Sequence, residues 1–209
     1  MMGLSEQKES PEMSSTSAAA PARAIAPADL AYVAVFAALI AALSIVPPIP
    51  VGGFGVPITL QTLGVALAGL CLGAWRGTAA VALYVLVGAA GLPVFAGGTA
   101  GIGVLLGPTG GYLLAFIVST FLLGLAAQAV LRRGVDRLTW LWLLLAAVAV
   151  RLAVIWPIGV AGIARATGGT VGDVWAVDLA YWPGDALKIV VAVLIAVAVH
   201  KAFPRLLGR

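Results

Sequence analysis

The chain has 209 residues, of which 62% are hydrophobic and only 10% charged, with 26 glycines and a formal net charge of +4. An ordinary soluble domain carries about 25% charged residues, so this composition excludes one. Most of the basic residues flank apolar runs instead of forming a patch, which argues against a nucleic-acid footprint and makes them topology signals.

Residues 1–29 are rich in Ser, Ala, Pro and Glu and contain no apolar run, which predicts a disordered tail. No basic segment directly precedes a short apolar core, so the first hydrophobic helix is expected to stay in the membrane rather than act as a cleaved signal. Uncharged runs then cover Leu30 to Trp75 and Gly77 to Leu131, 46 and 55 residues, each long enough for two spans of about 20 residues. The first helix is expected over 30–46, stopped by Pro47 and Pro48. The loop PPIPVGGFGVP at 47–57 has four prolines and three glycines. A second helix is expected over 58–75, a turn at Arg76 and Gly77, and a third helix over 78–90. The segment 91–111 carries eight glycines, two prolines and no charge. Irregular backbone cannot face lipid, so this stretch must fold against protein or line a cavity, and it points to a binding site. A fourth helix is expected over 112–131, a fifth over 138–160 with Arg151 inside it, a connection over 161–182 and a sixth helix over 183–202, with Pro183 suited to its first turn. Residues 30–203 thus form one membrane domain, followed by a basic tail at 204–209.

Six spans put both termini on one side, together with Arg76, Arg132, Arg133, Arg137, Lys201, Arg205 and Arg209. By the positive-inside rule that side is the cytoplasm, and the protein belongs in the plasma membrane. The three long Gly/Pro-rich connections then face outward, as suits capture of a small molecule from outside.

No catalytic apparatus is legible. There is no GxxxxGK[ST] phosphate loop. The single cysteine, Cys71, sits in an apolar run and reads as a small core residue. The single histidine, His200, is expected at the inner interface, with no second metal ligand and no nucleophile beside it. Neither a metal nor a cofactor is expected.

Two groups stand out. Asp185 and Lys188, in WPGDALK, share one face of the last helix at i, i+3 spacing. Two readings are open: an acid at the helix N-terminus with Lys188 as its salt-bridge partner or as an anchor reaching the interface, or a polar clamp whose cation meets a ligand carboxylate while Asp185 accepts ligand N–H groups. Arg151 lies deep in the fifth helix, where a lipid-facing guanidinium costs about 2.5–3.5 kcal/mol, so it should face the bundle interior. It either contacts ligand, snorkels outward or pairs with a buried carbonyl. Weaker polar candidates are Thr59, Gln61, Thr62, Tyr84, Thr109 and Tyr112, with Phe54 and Phe95 as aromatic residues able to close over an apolar ligand. Ala34, Ala38 and Ala42 form a small-residue strip on the first helix, suited either to internal packing or to docking a second membrane protein.

The pieces VPITLQTLGV at 56–65, YVLVGAAGLPVFAGG at 84–98, GPTGGYL at 107–113 and PGDALK at 183–188 together resemble the BioY family, the biotin-binding S components of energy-coupling factor (ECF) transporters. The resemblance implies an all-α, six-helix S-component fold that holds biotin near the outer face, and partners: a transmembrane coupling subunit and two cytoplasmic ATPases. In the family an Asp and a Lys three residues apart at the start of the last helix contact the vitamin, and Asp185 and Lys188 match that pair. The strip Ala34, Ala38, Ala42 resembles the surface by which S components dock. Gln61, Phe95 and Tyr112 are extrapolated as substrate contacts from the matching pieces, and Arg151 from its position; the segment IWPIGVAGIARATGG departs from the family pattern. The implied function is biotin capture and inward transport without covalent chemistry. An S component for another small carboxylated vitamin, or a stand-alone secondary carrier, are the alternatives.

Overall fold

A computed structural model describes residues 26–51, 53, 55–132, 134–204 and 206–207. The expectations for residues 1–25, Phe54, Arg133, Arg205 and Arg209 lie outside the described residues. Among those described no strand forms, and the order of elements is α1 (Pro27–Ile45), α2 (Gln61–Ala89), a 3-10 turn (Ala96–Gly98), α3 (Ile102–Leu106), α4 (Gly110–Leu131), α5 (Thr139–Val150), a π-helical turn (Arg151–Ile155), α6 (Trp156–Thr167), α7 (Val171–Val174), a 3-10 turn (Trp175–Ala180) and α8 (Trp182–Ala202). Five stretches are long and apolar enough to cross a membrane: α1, α2, α4, the continuous run Thr139–Thr167, and α8. This is a multi-pass membrane protein.

The first helix starts three residues earlier than the composition of the tail suggests. Pro27 occupies its first turn and Asp29 lies at its positive N-terminal end. Asp29 also meets the Arg76 guanidinium at 2.9 Å, and Arg76 donates to the Leu206 carbonyl at 2.8 Å, so one side chain joins three parts of the chain at this end.

The turn expected at Arg76 and Gly77 lies instead at Gly73. Its φ of 78° and ψ of −172° interrupt α2, and both Arg76 and Gly77 are helical. Only glycine adopts this backbone without strain. The chain doubles back there: Gln61 and Tyr84, 23 residues apart, are joined by a 2.8 Å hydrogen bond, whereas a straight helix would separate them by roughly 35 Å. The break leaves carbonyls at the end of the first arm without helical partners. His200, on α8, donates its Nε2 proton to one of them, the Leu70 oxygen, at 2.8 Å. The histidine side chain is therefore buried against the first arm of α2, in the last turn of α8.

The fifth helical stretch runs on past residue 160 to Thr167, through a π turn. Pro157 has no N–H to offer the carbonyl one turn back, and the helix widens just before it, with the Trp156 N–H reaching the Arg151 carbonyl. The connections are also more ordered than their glycine content suggests: 91–109 holds a 3-10 turn and α3, and 168–181 holds α7 and a 3-10 turn.

α4 is the central helix, packed on both arms of α2 and on α5 and α6, while α8 covers α2 and α5. One apolar cluster, including Val81, Phe95, Phe116 and Ile163, fills the half of the bundle nearest the long connections. A second, including Leu70, Leu143 and Val193, fills the other half. α1 is the least enclosed of the five long apolar stretches. Ala37, Ile40 and Ser44 face inward, and Ala34, Ala38 and Ala42 face outward. The strip is thus an outer surface and not internal packing.

Candidate ligand-binding site

At the end of the bundle that carries the long connections lies a cavity of about 470 Å³, within the range of small-molecule sites. Its apolar wall includes Val56, Ile58, Phe95, Val104, Phe116 and Ile155. The loop above it is closed at its base: Ile49 and Ile58 exchange backbone hydrogen bonds of 2.9 and 2.8 Å, and the Tyr181 hydroxyl donates to the Val56 carbonyl at 2.8 Å. Pro48 and Pro50 on either side of Ile49, and Pro57 before Ile58, disfavour helix, so the pair of bonds fixes a hairpin-like strap instead.

The floor is charged. Asp185, in the first turn of α8, accepts from three donors: Lys188 Nζ at 2.7 Å and Thr62 Oγ1 at 3.1 Å on one oxygen, and Arg151 Nε at 2.8 Å on the other. Arg151 Nη2 reaches Asp178 at 2.7 Å, and the other Asp178 oxygen accepts from the Tyr112 hydroxyl at 2.9 Å. Two cations and two anions close on one another in a part of the bundle where each is less than a tenth exposed. The face of the guanidinium is covered by the Trp182 ring, 5.4 Å from its centroid. Such a network is weak evidence for stability, because desolvation offsets attraction, but it holds donors in fixed directions. Lys188 also donates to the Thr59 carbonyl at 2.9 Å, so two of its three N–H donors are engaged among the described residues.

Close approach of backbones makes room for the aromatic walls. A Cβ at Gly159 would overlap the Tyr112 ring, and one at Gly88 would overlap the ring of Phe95. Phe95 in turn meets Tyr84 edge to face at 5.6 Å, and the Tyr84 hydroxyl takes the Gln61 amide and pairs with Ser44 at 3.0 Å. Gln61 is thereby held at the cavity edge by a residue on the other arm of α2.

The structure places Gln61, Phe95, Tyr112, Arg151, Asp185 and Lys188 around this one cavity, along with Thr59, Thr62 and Thr109. Phe95 is a buried wall, not an exposed lid. Asp185 and Lys188 form an ion pair and also line the cavity. Arg151 pairs with carboxylates, not with a carbonyl. Asp178, Tyr181 and Trp182 support the floor and wall of this cavity through Arg151 and the Val56 carbonyl, and the sequence alone assigns them no role. The signal was present: an arginine inside a membrane helix requires a counter-ion, and Asp178 is one of few acids on that side of the chain. Ala34, Ala38 and Ala42 lie away from the cavity.

A sequence profile described as the BioY family matches residues 13–205. A protein of Rhizobium etli named biotin transporter BioY is 38% identical over 182 residues, 87% of this chain and 97% of its own length. One of Thermotoga maritima with the same name is 42% identical over 161 residues, 73% of this chain and 85% of its own. A solved structure described as the S-component for biotin from an ECF-type ABC transporter superposes with a TM-score of 0.78 at 28% identity, covering 85% of this chain and 95% of that one. With a family profile spanning almost its whole length and relatives matched nearly end to end, the chain belongs to the BioY family.

Proposed function

We propose that this chain is the biotin-binding subunit of an ECF transporter, capturing biotin outside the cell and moving it inward together with a transmembrane coupling subunit and two ATPases. The observation that carries this reading is the cavity itself: apolar walls suited to a ring system, closed on one side by Asp185 and by a lysine with a spare donor. Biotin's valerate carboxylate suits Lys188. Its ureido N–H groups suit the remaining acceptor capacity of Asp185 and nearby backbone carbonyls, while Gln61, Phe95 and Tyr112 shape the walls. Arg151 acts as the fixed partner of Asp185 and Asp178. The names of the matched relatives and of the structural neighbour support the substrate.

Counting the two arms of α2 as separate passes gives six, with both termini on the side of Arg76 and Lys201. The positive-inside rule then sets that side in the cytoplasm of the plasma membrane and turns the cavity outward. Transport changes no covalent bond and calls for no bound cofactor, and ATP hydrolysis belongs to the partners. The outward strip Ala34, Ala38, Ala42 docks the coupling subunit, because small residues let a second helix approach closely.

Equilibrium binding of labelled biotin to the purified chain, competed with other carboxylated vitamins such as pantothenate and lipoate, tests the reading. Binding displaced by cold biotin alone supports it. Displacement by another vitamin at lower concentration assigns the cavity to that vitamin instead.

A further inference from the structure

Below the charged floor, towards the middle of the bundle, lies a second hollow of about 30 Å³. Thr62, Arg151, Ile155, Asp185 and Lys188 line both spaces, so the ionic network forms the floor of one and the roof of the other. Thr120 lines only the lower one, ten residues into α4 and about 15 Å along its axis from the loop end.

Two residues that line this hollow each carry a buried polar atom with no hydrogen-bond partner among the described residues: Arg151 Nη1 and Thr120 Oγ1. Their side chains are fully or almost fully buried, at 3% and 0% exposure. A buried polar group without a partner is rare in folded proteins, and the usual remedy is an ordered water. A water needs roughly 10–15 Å³ and two or more polar partners, and the hollow has room for one or two.

We infer that this hollow is a buried water site, in which one or two ordered waters accept from Arg151 Nη1 and bond to Thr120 Oγ1. A metal cation is excluded by the guanidinium and ammonium above it. An anion gains nothing, because Asp178 and Asp185 already neutralise both cations. The water completes the guanidinium: Nε is held by Asp185, Nη2 by Asp178 and Nη1 from below, so Arg151 is fixed on three sides and the cavity floor cannot sag into the bundle. Thr120 is then a positioning residue that acts on Arg151 through water. The inference does not depend on which ligand fills the upper cavity.

Two experiments test it. A structure of the wild-type protein at a resolution that shows waters should contain density within hydrogen-bonding distance of both Arg151 Nη1 and Thr120 Oγ1. A hollow without density, or Nη1 turned onto a protein carbonyl, overturns the inference whatever the variants do. The sign of a stability change is the second readout. With water bound, Thr120→Val removes a partner and should lower the melting temperature by roughly 2–8 °C, while Thr120→Ser keeps the hydroxyl and the water density and loses only the packing of one buried methyl. If the hydroxyl has no partner, replacing it with an isosteric methyl leaves the melting temperature unchanged or raises it, which contradicts the water site.

Discussion

Arg151 Nη2 lies 2.7 Å from Asp178 Oδ2, and the pair is buried on every side. Asp178 comes from the connection before α8, Arg151 from the π turn, and Asp185 from α8 itself. One guanidinium therefore binds the connection to two helices of the bundle. Replacing Asp178 by Asn keeps the shape and removes the charge. Breaking a buried pair from one side costs about 3–5 kcal/mol, so Asp178→Asn should unfold at markedly lower temperature or denaturant, and a melting curve matching the wild type would refute this role.

Tyr112 depends on the glycine beneath its ring. A methyl group at Gly159 must displace the ring and with it the 2.9 Å bond to Asp178. Gly159→Ala should cost about 1–3 kcal/mol in stability, the range for overpacking, and weaken biotin binding. Tyr112→Ala vacates the space, so adding Gly159→Ala to it should produce little further loss. Additive losses in the two single variants and the double would show that the two positions are independent.

Much of this site is legible in the sequence because membrane helices leave few polar residues, each of which needs a reason. Asp185, Lys188 and Arg151 are conspicuous against apolar neighbours, and the glycine-rich segment 91–111 reads as cavity-lining for a backbone reason. Pairings across the bundle are not legible in the same way. Asp178 looks like an ordinary loop acid until α5 and the 3-10 turn at Trp175–Ala180 are brought together, and Tyr84 supports Gln61 only because the chain reverses between them. That reversal was misplaced for a physical reason. Arg76 is the obvious punctuation in an apolar run, yet a charge need not end a helix, and the positive φ required for the turn falls to Gly73. The π turn is signalled by Pro157, and His200 is buried because the break at Gly73 leaves a carbonyl for it.

The connection that supplies Asp178 starts with a local acid-sensitive lock. The Thr170 backbone N–H donates to Asp173 at 2.8 Å and the Thr170 hydroxyl at 2.7 Å, and these bonds hold the Asp173 carboxyl below its ordinary range. A lowered folded-state pKa contributes stability above the unfolded value of 3.8 and loses it as pH falls through the folded value. Amide exchange over residues 170–174 should therefore be unchanged between pH 7 and pH 5, after correction for intrinsic rates, and should accelerate only below about pH 4. Loosening that begins near pH 6 would contradict the assignment.

The alanine strip on α1 predicts a separation of functions. Ala38→Trp places a large ring on the outward face, far from the cavity. Co-purification with the coupling subunit should fall by about tenfold or more, the scale of about 1.4 kcal/mol or more lost from close helix packing, while biotin affinity stays at the wild-type value. Retained co-purification would move the docking surface elsewhere.

The most direct measurement is a binding cycle that crosses the ligand carboxylate with Lys188: biotin and biotin amide, each titrated against the wild-type chain and Lys188→Ala. A charge-assisted hydrogen bond contributes about 1.5–3 kcal/mol, so removing either partner should weaken binding by roughly 10- to 150-fold. Removing both should weaken it little further, because the second change finds the bond already gone. Full additivity of the two losses, or no loss with Lys188→Ala in a folded protein, would contradict the pairing of this lysine with the carboxylate.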